Sequence, residues 1–92
     1  MIKLDGILYR IMTEDINRSE VIKTANKYFS GYSISEPGTR SGYWRGVGEK
    51  SILLEVITDD KASVMSLAND IKLINNQESV LVEVIKNSAY LV

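Results

Sequence analysis

Two stretches of this chain repeat apolar residues at helical spacing, and each lies between stretches that alternate with a period of two. That order of elements constrains the fold more than any other feature. In the first helical stretch Val21, Ile22, Ala25, Tyr28 and Phe29 follow the 3.6-residue period, and in the second Val64, Leu67, Ala68, Ile71 and Ile74 do so. Between Ile7 and Thr13, Ile7, Tyr9 and Ile11 alternate with Leu8, Arg10 and Met12. From Ser51 to Thr58, Ile52, Leu54 and Val56 alternate with Leu53, Glu55 and Ile57. Tyr32 to Glu36 reads as a short strand stopped by Pro37-Gly38, and Ser79 to Ile85 as another. Ala89 to Val92 adds a terminal strand after a polar turn at Lys86-Asn87-Ser88. The spacing predicts an α+β domain of ferredoxin-like order, β-α-β-β-α-β, with an extra C-terminal strand. Its antiparallel sheet carries both helices on one face.

The ends of the helices carry their own signals. Asn17, followed three residues later by Glu20, predicts an N-cap with a reciprocal carboxylate, and Gly31 a left-handed C-terminal cap. Asp59 or Asp60 is placed to cap the second helix, and Asn75-Asn76 to end it.

With 92 residues the chain has room for one core, so residues 1–92 are read as a single domain. No cysteine is present to staple it, and a domain this small gains stability by burying further apolar surface against copies of itself; a homo-oligomer is expected. The absence of cysteine removes thiolate metal sites and thiol nucleophiles. The absence of histidine removes the commonest metal ligand and the usual general base near neutral pH. This argues against zinc hydrolases, serine-histidine hydrolases and histidine-dependent nucleases, and neither a metal nor a cofactor is indicated. An enzyme built from this sequence would depend on carboxylates, lysine, tyrosine or its substrate, so the reading leans away from catalysis.

A net charge of -1 and a pI near 5.4 argue against sequence-independent nucleic-acid binding, which draws its strength from clustered cations. The first six residues have no leader-like apolar core, and no apolar run approaches the length of a membrane span; a cytoplasmic location is expected.

Recognition chemistry concentrates between Thr39 and Ser51. Gly42, Gly46 and Gly48 let backbone approach a ligand, Tyr43 and Trp44 offer stacking faces, and Arg40 and Arg45 suit phosphate or carboxylate. With Glu49 and Ser51 these residues form the candidate ligand site. Its structural alternative is a twisted hairpin in which either Tyr43 or Trp44 packs on the core and the other lies on the surface. The glycines match no Walker or dinucleotide fingerprint, because no helix opens after them at the required spacing. A second polar patch, Arg10 between Glu55 and Glu83, should lie on the sheet face opposite the helices. It reads as a cross-strand ion-pair ladder, or as a polar patch within an oligomer interface or ligand cleft. Thr13, Glu14, Asp15, Asn17 and Arg18 are ascribed to capping, and Asn76, Gln77 and Glu78 to a polar connection whose amides could read a ligand edge.

Three segments, Tyr9 to Asn17, Gly42 to Gly46 with Glu49 and Ser51, and Asn75 to Val82, together resemble a loose group of small uncharacterised proteins from bacteriophages and mobile elements of low-GC bacteria. The resemblance implies a compact α+β fold and a viral setting, and brings no functional residues with it. In that setting a small protein without catalytic groups acts stoichiometrically. It could sequester a small anionic, nucleotide-type signal and so counter a host defence, with Arg40 or Arg45 on phosphate and Tyr43 or Trp44 on a base. The alternatives are an inhibitor that binds a host defence protein directly with the same residues, and an oligomeric structural module.

Overall fold

The elements run β1 (Ile2–Glu14), α1 (Arg18–Tyr28), β2 (Ser33–Ile34), β3 (Ser41–Trp44), β4 (Val47–Thr58), α2 (Lys61–Ile74) and β5 (Leu81–Leu91). The structure, a computed structural model, describes the backbone of residues 1–92 and every side chain except those of Leu4, Asp5 and Asn87. The strands form one antiparallel sheet in the order β2-β4-β1-β5, and β3 also pairs with β4. This is the ferredoxin-like α+β arrangement, with the β3–β4 hairpin as its elaboration.

Register sorts the residues of the sheet. Tyr9 stands opposite both Val56 and Val84, and Ile11 opposite both Leu54 and Val82. Since directly opposed residues share a face, these turn toward the helices, while Arg10, Glu55 and Glu83 share the other side. Tyr9, Ile11, Ile52, Leu54 and Val56 pack against Val21 and Ala25 of α1 and Val64, Leu67, Ala68 and Ile71 of α2. Each fully buried aliphatic side chain stabilises this core by roughly 1.5–3 kcal/mol. Tyr28 ties the helices together by donating its hydroxyl to Asp70 Oδ2 at 2.6 Å. Val84, though on the helix-facing side, remains half exposed on the edge strand β5.

Several expectations are corrected. The terminal strand is not separate: β5 runs unbroken through Lys86-Asn87-Ser88, because Ile2 to Gly6 of β1 supply backbone partners along its whole second half. Polar residues are tolerated there because the ribbon of residues 2–6 and 87–91 has no third strand beside it: β4 first meets β1 at Ile7↔Thr58. Gly6 lets β1 pass the end of β4, since a Cβ there would sit 3.0 Å from Ile57 Cγ2. Asn17 lies in the left-handed region at φ 52 and makes no side-chain cap; its amide instead donates to Ile74 O at 3.1 Å, joining the start of α1 to the end of α2. Nor does Gly31 cap α1, which already ends with Phe29 in extended conformation. Asp60, rather than Asp59, caps α2, accepting from Ser63 N at 3.0 Å and Ser63 Oγ at 2.6 Å; these bonds hold its carboxyl below the usual range.

The strand expected over Tyr32 to Glu36 shrinks to Ser33–Ile34 because the edge strand bulges. From Ile34↔Leu54 to Ser41↔Lys50 it advances seven residues while β4 retreats four, so three extra residues loop out. Pro37-Gly38 lies in that loop, with Gly38 at φ 76. Beyond the bulge the same edge resumes as β3. Among the described residues no helix is long and apolar enough to cross a membrane.

Candidate functional site

A cleft forms where the central strand stops before its neighbours do. β1 ends at Glu14, opposite Ser51, but β4 continues back to Val47 as part of the hairpin. On the other side the connection from Asn75 into β5 also runs past the end of β1. The gap encloses about 670 Å³ between the hairpin and residues 76–81. Its floor is tied down by hydrogen bonds. Asn75, almost fully buried, donates from Nδ2 to Thr13 Oγ1 at 3.1 Å, Glu14 O at 3.3 Å and Gln77 Oε1 at 3.3 Å, and Thr13 Oγ1 donates to Gln77 Oε1. Asn75 Oδ1 is buried without a partner among the described residues.

Five of the six candidate residues predicted from the sequence, Arg40, Tyr43, Trp44, Glu49 and Ser51, line this cleft. The sixth, Arg45, stands at the hairpin tip. With Gly46 it forms the two-residue turn, φ 51 and φ 79, and positive φ at both central residues is what a tight hairpin requires. Arg45 Nη2 reaches across to Glu78 Oε1 at 3.2 Å, and its guanidinium lies 5.7 Å from the centroid of the Trp44 ring. Hairpin and α2–β5 connection thus meet over the mouth of the cleft.

The hairpin extends beyond the core, and neither aromatic is the core anchor of the structural alternative. Tyr43 is 80% exposed and Trp44 53%. By strand alternation Trp44, opposite Val47, shares the hairpin face of Glu49, while Tyr43 lies on the reverse face across Gly48, where a Cβ would meet its ring at 3.1 Å.

Four arginines are present, and three are engaged. Arg10 holds Glu55 and Glu83, Arg18 holds Asp15, and Arg45 holds Glu78. The Arg40 guanidinium, half-buried in the cleft wall, makes no hydrogen bond or ion pair among the described residues; only its backbone carbonyl is used, accepting from Ser51 N at 3.1 Å. Beside it Glu49 hydrogen-bonds to Glu14. That bond, with partial burial and the charge of Glu14, pushes the Glu49 carboxyl up to about 6. The cleft therefore offers a guanidinium donor, an indole face and a pair of carboxyls that share a proton only below about pH 6.

The second predicted patch is assembled, but elsewhere. Arg10 Nη1 is 3.3 Å from Glu83 Oε1 and Arg10 Nε 3.4 Å from Glu55 Oε2, the latter near enough for an ion pair but not aligned as a hydrogen bond. None of the three lines the cleft. Sequence reasoning missed Glu14, which it had assigned to capping, and Thr13 and Asn75, whose partners lie far away in the chain. Asp15 and Arg18 of that group serve structure: Asp15 grips Arg18 with both oxygens, at 2.9 and 2.7 Å, and Arg18 Nη1 donates to Ser35 O at 2.7 Å.

No family model matches the sequence, and no curated protein matches it. Solved structures do match the fold. CPII, a nitrogen regulatory PII-like protein from Thiomonas intermedia K12 solved with ADP, AMP and bicarbonate, aligns with a TM-score of 0.69 at 16% identity, over 95% of this chain and 94% of that one. A protein from Shewanella baltica, of a family named only as a domain of unknown function, aligns at 0.67 and 14% identity over 96% and 98%. A protein from Thermus thermophilus described as a PII-like signalling protein aligns at 0.59 and 19% identity over 100% and 94%. At these identities the likeness is one of fold.

Proposed function

We propose that this chain is a non-enzymatic binding protein that holds a small anionic ligand of nucleotide type in the cleft beneath the β3–β4 hairpin. The observation that carries this reading is Arg40, the one arginine without a carboxylate among the described residues, in the wall of a cleft with an indole at its rim. A phosphate on Arg40 would gain charge-assisted hydrogen bonds, and a base on Trp44 would gain stacking of about 1–3 kcal/mol. A cleft of this size suits a mononucleotide. The fold is compatible with such a ligand, since CPII was solved with ADP, AMP and bicarbonate.

In the viral setting implied by the sequence resemblance, the captured molecule is a host signal nucleotide, and the protein acts by removing it from solution. Self-association through the uncovered sheet face belongs to the same reading. That face exposes Ile57, Leu81 and Ile85 around the Arg10 cluster, and burying it against a second copy would extend a small core. Light scattering on the purified protein should return a mass above that of one chain.

Titration calorimetry against mono-, di- and cyclic nucleotides, followed by chromatography of each mixture, tests the binding claim. The expected result is saturable binding of at least one nucleotide that is recovered chemically unchanged. A converted product would make the chain an enzyme. Binding of no nucleotide, with a host protein retained by wild type and lost in Tyr43→Ala, would replace the reading with direct inhibition, which the exposure of Tyr43 favours.

A further inference from the structure

We infer that capture of an anion in this cleft is coupled to the proton held between Glu14 and Glu49, so that binding takes up a proton and weakens as the solution becomes more alkaline. The inference rests on the binding reading of the same cleft and adds its regulation.

Glu14 is the last residue of β1 and pairs with Ser51; Glu49 stands two residues before Ser51 on the same face of β4, so the two carboxyls are diagonal neighbours across the strands. The register brings both carboxyls to one cleft, and they can hydrogen-bond to each other only while a proton lies between them. The other charged groups around the pair do not take over that role. Arg40, which flanks Ser51 on the same side of the cleft as Glu49, partners neither carboxyl. Glu78, across the mouth, is engaged by Arg45. Lys50 and Tyr43 lie on the reverse face of the hairpin by strand alternation.

Charge then decides the sign. While the pair keeps its proton it carries one negative charge against the positive charge of Arg40; once the proton leaves, an anion drawn to Arg40 meets two carboxylates lining the same cleft. A bound anion must raise the proton affinity of the pair, and by reciprocity the proton must raise affinity for the anion. Glu49 is held up to about 6, so the dependence should appear just above that value.

Sulfate is a suitable probe, because it keeps its charge throughout this range and requires no knowledge of the natural ligand. The side-chain carboxyl carbons of Glu14 and Glu49 and the guanidinium Nε–H of Arg40 would be followed by NMR as pH is varied, with and without sulfate at constant ionic strength. The expected result is a shift of the Arg40 signal on sulfate addition, together with a rise of the pair's upper titration by about half a pH unit or more. In wild type the sulfate dissociation constant should rise with pH above the upper titration, by at most about tenfold per unit for one linked proton. Glu49→Gln, which mimics the protonated state, should make affinity flat across that range and several-fold tighter than wild type at its alkaline end; Glu14→Gln should do the same if the first variant is poorly folded. If sulfate shifts Arg40 but leaves the pair's titration in place, the coupling is overturned and the binding reading survives. If sulfate moves neither, the inference falls together with the anion end of the binding reading.

Discussion

The sheet carries two clusters of charge, and they are built differently. At its centre Arg10 lies between Glu55 and Glu83, each charge answered by another within 3.4 Å. At its end Arg40 has no partner among the described residues, and Glu14 and Glu49 turn to each other instead of to it. The first cluster is closed: its charges are spent on one another, and strand pairing alone accounts for it. The second is open, because β1 stops short and leaves the guanidinium facing a cavity rather than a neighbouring strand. The sequence presents both as arginines among glutamates; only the place where a strand ends distinguishes a closed ladder from an arginine left open to a cleft.

Substitutions can break this contrast, and the largest effect is expected at Arg40. Arg40→Ala should weaken nucleotide binding about 30-fold, an effect of about 2 kcal/mol for lost charge-assisted bonds. Its urea midpoint should stay near that of wild type, since no described group loses a partner; a large loss of stability would mean that Arg40 serves the fold. Trp44→Ala comes next. Loss of a stacking face should cost about tenfold in affinity by titration calorimetry. Unaltered affinity would leave Trp44 as a surface residue that merely supports Arg45.

Arg10→Ala should show the reverse profile. Two carboxylates left facing each other across β1 should lower stability by about 1 kcal/mol in urea unfolding, with nucleotide affinity unchanged. A drop in affinity would join the two clusters that the geometry separates. The smallest effect concerns the Glu14–Glu49 pair and is read from stability alone. Because Glu49 is held up to about 6, above its unfolded value near 4.5, the folded state favours its protonated form. That contribution is fully present below about pH 4.5 and is lost as pH rises through about 6, by at most about 1 kcal/mol for so solvent-accessible a group. Urea midpoints of wild type should carry this slope and those of Glu49→Gln should not.

Much of the fold is legible in the residues. The period of Val64, Leu67, Ala68 and Ile71 and the alternation of Ile52, Leu54 and Val56 place α2 and β4 because both patterns are local and both faces are buried by one core. What the sequence conceals is where local signals lose to distant partners. Lys86-Asn87-Ser88 looks like a turn until Ile2 to Gly6 supply a ladder for it. Asn17 looks like a cap until Ile74 O takes its amide, and Tyr32 to Glu36 looks like a full strand until the bulge that follows Ile34 cuts it to two residues. The candidate site was partly readable, since glycines, aromatics and arginines crowd one hairpin. Its other wall was not: Glu14, Thr13 and Asn75 acquire their positions only when the α2–β5 connection folds back across the end of β1.

The central claim is that the cleft holds a small anion through Arg40. Native mass spectrometry of wild type and Arg40→Ala, each incubated with the same small-molecule fraction of a lysate and then heated to release what is bound, tests it most directly. The account predicts a stoichiometric mass gain in wild type that is absent or strongly reduced in Arg40→Ala, with the released molecule an intact, phosphate-bearing compound. Equal gains in both proteins, or none in either, would contradict it.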